Sequence, residues 1–246
     1  MKYLFCFFIF IISSVLTAQP KISQIKLPDG YKRITFPADS YSAYIQSLPL
    51  KKNRTIALWN GVKLKPSSVP YNVFAVIDKP ILFKEDLEQC ADYAMRFWAD
   101  YHNANKKLKK LYLLTYVGEK KYYKNSNMSY LKFLRWHMVY SNSFSIKNGT
   151  KKISMKKELV PGDMFVQFKK GTGGIGHVSV IVDAAENKKG ERIYLIGYSY
   201  MPAQEFHIED AKDRNDTGAW FTKSGYVEFL MNNGFKIYGK PVIRRF

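Results

Sequence analysis

The sequence predicts an α+β fold in which one long helix packs against an antiparallel sheet. Three observations carry that prediction. The apolar series Leu87, Cys90, Ala94, Phe97, Trp98 and Tyr101 recurs at helical spacing. Two runs rich in β-branched and aromatic residues, 164–168 and 178–184, read as strands. A turn at residues 186–190 then brings residues 192–200 back as a third strand.

The elements follow in chain order. Residues 1–18 have the three-part layout of a secretory signal peptide: Lys2, an apolar run over 3–12, then Ser13, Ser14 and Leu16-Thr17-Ala18 before Gln19. That run is shorter than the roughly 20 residues needed to span a bilayer core. Cleavage after Ala18 removes Cys6 and leaves Cys90 as the single cysteine of an exported, periplasmic or secreted protein. Residues 19–246 are expected to form one α+β domain, with a β-rich N-terminal part at 19–84 and the helix-on-sheet part at 85–246.

Within the first part, Asp39 or Ser40 can cap a short helix through Tyr41, Tyr44, Ile45 and Leu48. Asn60-Gly61 between residues 56–59 and 62–64 reads as a hairpin turn. Residues 73–77 read as a strand. In the second part, Asp86-Leu87-Glu88-Gln89 has the shape of a capping box, with Asp86 as N-cap of the long helix and Cys90 about one turn inside. A strand is expected at 111–117, then a basic loop, then a helix over 130–140 with Leu131, Leu134 and Met138 on one face. Pro161-Gly162-Asp163 turns into the strand at 164–168, and a glycine-rich stretch at 171–176 leads to His177.

Composition narrows the partners. With Lys2 removed, 38 basic residues stand against 20 acidic ones, a net charge of +18. An exported basic protein meets anionic envelope polymers more often than nucleic acid. Neither a zinc-finger spacing nor a ribonucleoprotein motif nor a basic-region helix is present. The lysine pairs at 106–107, 109–110, 120–121 and 151–152 read as solvated faces. The histidines are too far apart for a metal-ligand cluster, and the glycine-rich stretch lacks the Lys-Ser/Thr of a phosphate loop, so no cofactor is implied.

Chemistry is expected at Cys90. A cysteine near a helix N-terminus is favoured as thiolate, and a nearby imidazole would strengthen that. A cysteine on an apolar helix face is also commonly core. Of four histidines, His102 lies too far along the same helix, His137 and His207 read as packing or polar surroundings, and His177 heads a strand. If the strands at 178–184 and 192–200 pair across the turn at 186–190, the register sets His177 opposite about Ser199, with Tyr198, Tyr200 and Gln204 near by.

These residues resemble a known pattern. Gln89-Cys90-Ala91-Asp92-Tyr93-Ala94, then Pro161-Gly162-Asp163, then Gly176-His177-Val178 with Ile181-Val182-Asp183, is similar to papain-like cysteine amidases of the NlpC and CHAP types. The whole chain, with Ser199-Tyr200-Met201-Pro202-Ala203-Gln204 following, resembles an uncharacterised family of secreted Bacteroidota proteins, the domain of unknown function 4846. The first resemblance implies a papain-like fold, Cys90 as nucleophile, His177 as general base and cleavage of cell-wall peptides. The hairpin register offers Ser199 for the third catalytic position, with Gln89, Gly176, Tyr198 and Gln204 expected around the site. The chain departs from the amidases in having Tyr198 and Ser199 where a polar partner of the imidazole is expected, and in a cysteine set deeper in its helix.

Three readings follow: a cysteine amidase or peptidase acting on cell-wall peptide; an inactive papain-like fold binding peptidoglycan, another anionic envelope component or a protein partner; or a structural envelope protein without a cleft. The first requires Cys90 Sγ within about 4 Å of a His177 ring nitrogen.

Overall fold

The structure is a computed structural model that describes residues 19–169, 171, 175–212 and 218–246. The signal-peptide segment lies outside the described residues, as do positions 172–174 of the glycine-rich stretch.

Twelve strands are described: β1 (Tyr31–Arg33), β2 (Ile56–Ala57), β3 (Lys63–Leu64), β4 (Val73–Val76), β5 (Tyr112–Leu114), β6 (Lys120–Tyr122), β7 (Lys151–Ile153), β8 (Met164–Phe168), β9 (Gly176–Asn187), β10 (Arg192–Tyr198), β11 (His207–Glu209) and β12 (Val242–Arg245). The α-helices are α1 (Tyr41–Gln46), α2 (Cys90–Ala104), α3 (Tyr130–Tyr140), α4 (Ser143–Gly149) and α5 (Lys223–Asn232). Eight strands make one sheet in the order β4-β11-β10-β9-β8-β12-β7, with β1 also paired to β9. Every pairing in it is antiparallel. The fold is therefore α+β with a large antiparallel sheet. Among the described residues no helix is long and apolar enough to cross a membrane.

Because strand side chains alternate between faces, β9 feeds two cores. Val178, Val180 and Val182 pack with Tyr93, Ala94 and Phe97 of α2. Ile181 packs on the other face with Tyr198, Tyr226, Phe229 and Phe235. The β-rich N-terminal part shares this architecture: β4 and β1 belong to the main sheet, and Ile22, Ile45, Leu48, Leu50 and Ile77 join the α2-side core.

The expected hairpin forms as β2–β3, with Gly61 at a φ of 85°, which a left-handed turn position needs. Ser40 caps α1 by accepting from the Ala43 N–H at 3.2 Å. Three expectations are corrected. The strand at 111–117 is only Tyr112–Leu114, and the basic loop after it contains β6, its partner. Leu131 is exposed, because α3 buries Phe133, Leu134, His137 and Met138 instead. The long helix starts at Cys90, not after Asp86.

Candidate functional site

The last correction changes the chemistry. Gln89 is the extended N-cap and Cys90 the first residue of α2. The Asp92 carboxyl reaches back to the Gln89 N–H at 3.1 Å. Asp86 is engaged elsewhere, since its Oδ1 accepts from the Ala203 N–H at 2.6 Å and from Gln89 Nε2 at 3.1 Å. Glu88, fully buried, pairs with Arg96 Nη1 at 2.6 Å and also accepts from the Leu82 and Phe83 N–H groups. The approach to Cys90 is thus pinned by polar contacts at Asp86, Glu88 and Asp92, of which the Glu88–Arg96 pair is buried. The cysteine is at the helix tip, not about one turn inside.

Position at the tip favours a thiolate, but burial outweighs it. The residue is half-buried, while enclosure of its thiol pushes the thiol up to about 11, outweighing a bond from the Val178 N–H that lowers it, with the neighbouring Asp92 carboxyl adding to the rise. At neutral pH Cys90 is a neutral thiol.

His177 is the second residue of β9 and points the other way. Its neighbour Val178 belongs to the α2-side core, whereas the imidazole stacks on Phe235 at 4.1 Å and meets Tyr198 edge-on at 4.8 Å. Its Nε2 is 2.9 Å from Ser179 Oγ on the same strand face. Burial first, and the His207 charge second, lower its pKa to about 3. The ring is neutral.

Cys90 and His177 nevertheless line one cavity of about 290 Å3 together with Gln89, Gly176 and Ser199. Gly176 has a steric reason to be glycine: a Cβ there would stand 2.2 Å from Ser143 Oγ and 2.3 Å from the Gln167 carbonyl. Tyr198 and Gln204 do not line this cavity.

The third position also differs from the expectation. The β9–β10 ladder shifts between Leu195 and Ile196 and runs on to Gly197 opposite Val180. Extending that register sets Tyr200 opposite His177 and Ser199 opposite Val178, one residue away from the expected pairing. One residue is a change of face. The Ser199 hydroxyl accordingly lies 2.6 Å from the Gln204 carbonyl and 3.3 Å from the Glu88 carbonyl, so it fastens the approach to α2 and does not orient the imidazole. Tyr198 takes the place beside His177, and its own hydroxyl donates to Glu209.

Tyr200, expected near His177, does line the cavity, whereas sequence reasoning missed Tyr238 and Ser143 in its wall. Burial first, then Tyr200 and Cys90, raise the Tyr238 pKa. No local spacing signals it, because it comes from a distant C-terminal turn. The cavity is a mixed surface, with Met138, Val139 and Ile175 beside the polar groups of Asn142 and Gln89. Such a cleft suits binding. Among the described residues no group of three His, Cys, Asp or Glu is placed to hold a metal ion.

One family model, described as "Domain of unknown function (4846)", matches residues 22–124 and 114–238. No curated protein and no solved structure matches the chain.

Proposed function

The chain belongs to the family described as Domain of unknown function (4846), and we propose that it is an exported cell-envelope protein whose papain-like cleft at Cys90 binds an envelope peptide without cleaving it. One observation carries this reading. The thiol and the imidazole border the same cavity, yet each is held neutral by burial and the two face opposite sides of the sheet. Nucleophilic attack by cysteine needs a thiolate and a base within hydrogen-bond reach. A cleft of about 290 Å3 also weighs against a structural protein with no binding site. The net charge of +18 on residues 19–246 suits an anionic envelope component such as peptidoglycan.

A second reading keeps catalysis: a cysteine amidase acting on cell-wall peptides in the periplasm or outside the cell. It is favoured by Cys90 standing first in its helix with Gly176-His177 at the same cavity. It would require the imidazole to leave Phe235 and swing around the end of β9.

The test is incubation of residues 19–246 with purified sacculi. The binding reading expects co-sedimentation, no release of new amino groups, and the same result for Cys90→Ala. Amino-group release that Cys90→Ala abolishes would establish the amidase instead.

A further inference from the structure

A second cavity, of about 140 Å3, lies on the sheet face opposite α2. Four aromatic rings close around it in a circuit. Tyr71 meets Tyr198 with centroids 6.1 Å apart, and Tyr198 meets Phe235 at 5.4 Å. Phe235 meets Tyr200 at 6.1 Å, and Tyr200 returns to Tyr71 at 5.6 Å. Glu209 also lines the space and is itself fully buried. Its Oε1 accepts from the Asn72 N–H at 3.0 Å, and its Oε2 from the Tyr198 hydroxyl.

Charge pairing sets this carboxylate apart. Among the described residues six carboxylates are buried: Glu88, Asp92, Asp163, Asp183, Glu205 and Glu209. Four have a Lys or Arg partner, namely Arg96 on Glu88, Arg245 on Asp163, Arg33 on Asp183 and Lys51 on Glu205. The Asp92 carboxyl is pushed well above the usual range by burial, which favours its neutral form. Glu209 has only His207, whose Nε2 is 3.6 Å away and whose ring nitrogens both lack a hydrogen bond. Burial lowers the His207 pKa, so that neighbour supplies no positive charge at neutral pH.

Aromatic rings in the wall of a cavity, with one carboxylate beside them, are the chemistry that recognises an organic cation. Tyr71 and Phe235 each give one face to a stacked imidazole, of His207 and His177, which leaves the other face for a ligand. We propose that the cavity walled by Tyr71, Tyr198, Tyr200, Phe235 and Glu209 binds an organic ammonium group. The ammonium lies against the ring faces and pairs with Glu209. Its source is either an amine-bearing side chain or a quaternary head group, which share this chemistry. The site shares Tyr200 with the wall of the Cys90 cleft, but Glu209, Tyr71 and Phe235 line it alone, so the Glu209 variant reads cation binding whether that cleft cleaves or binds.

The experiment is calorimetric titration of residues 19–246 with choline, with n-propylammonium and with 3,3-dimethylbutan-1-ol, the neutral counterpart of choline. Saturable binding of at least one cation, about tenfold or more tighter than the alcohol, is expected. Tighter propylammonium points to a side-chain amine, and tighter choline to a head group. Glu209→Gln keeps the acceptor oxygen and should weaken the cation by about tenfold. Tyr200→Ala should weaken it too, whereas Tyr200→Phe should not. Neither cation binding more tightly than the alcohol, or no saturable binding of either cation, overturns the proposal even if Glu209→Gln fails to fold.

Discussion

The two faces of the main sheet follow different rules. Against α2 the sheet presents Val178, Val180 and Val182, with the Glu88–Arg96 ion pair buried nearby. Against α5 and the C-terminal turn it presents His177, Ser179, Tyr198 and His207, buried polar groups among aromatic rings. The first face is a packed core with a cysteine at its rim. The second holds polar groups that cost free energy to bury unless something satisfies them. The difference teaches how a strand can bring Cys90 and His177 to one cavity while their side chains pack into different cores. Proximity along Gly176-His177-Val178 fixes the backbone, while alternation fixes the face.

Each face has an anchor whose removal tests the contrast. On the α2 side, Arg96→Met leaves Glu88 buried without its partner and should cost about 3–5 kcal/mol in urea unfolding. On the other face, Phe235→Ala removes the ring stacked on His177 and should cost a similar ~3–5 kcal/mol. If only one of these losses appears, the faces are not equally load-sharing parts of one core.

The next effect is smaller and depends on pH. The folded-state pKa of His177 is lowered to about 3 from its ordinary 6.5. Between those values the unfolded chain binds a proton that the folded chain refuses. Stability is therefore full above pH 6.5 and is lost as pH falls toward 3, by about 3 kcal/mol between pH 6.5 and 4. His177→Phe should flatten that part of the stability–pH curve, measured by denaturant midpoints. An unchanged slope would mean that the ring is not held neutral in the second core.

Ser199→Ala is the mildest change. It removes the hydroxyl that meets the Glu88 and Gln204 carbonyls and should cost about 1 kcal/mol. It should leave the His177 titration where it was, because Ser199 stands on the other face. A shifted imidazole titration in this variant, followed by NMR, would return Ser199 to the orienting role.

Much of the scaffold was legible from residue patterns. The apolar periodicity of α2, the bounds of α3 and β8, and the Asn60-Gly61 turn are local signals, and each appears where those signals put it. The start of α2 was misread because Asp86-Leu87-Glu88-Gln89 imitates a capping box, while the Asp86 carboxylate is drawn off by the Ala203 backbone, distant in sequence. The site was less legible. Cys90 and His177, picked as a catalytic pair, do border one cavity, but the shift between Leu195 and Ile196 moves Ser199 to the opposite face, and a register shift leaves no mark in hydrophobic alternation. Tyr238 and the Tyr71–Tyr198–Phe235–Tyr200 circuit are assembled from distant segments, so no spacing announces them.

The direct test of the binding reading is the ionisation of Cys90, followed by thiolate absorbance near 240 nm or by the pH dependence of alkylation in residues 19–246. A midpoint near 11 is expected, and it should not move in His177→Phe. A midpoint below neutral that rises when His177 is replaced would mean a thiolate–imidazolium pair, and would contradict the account.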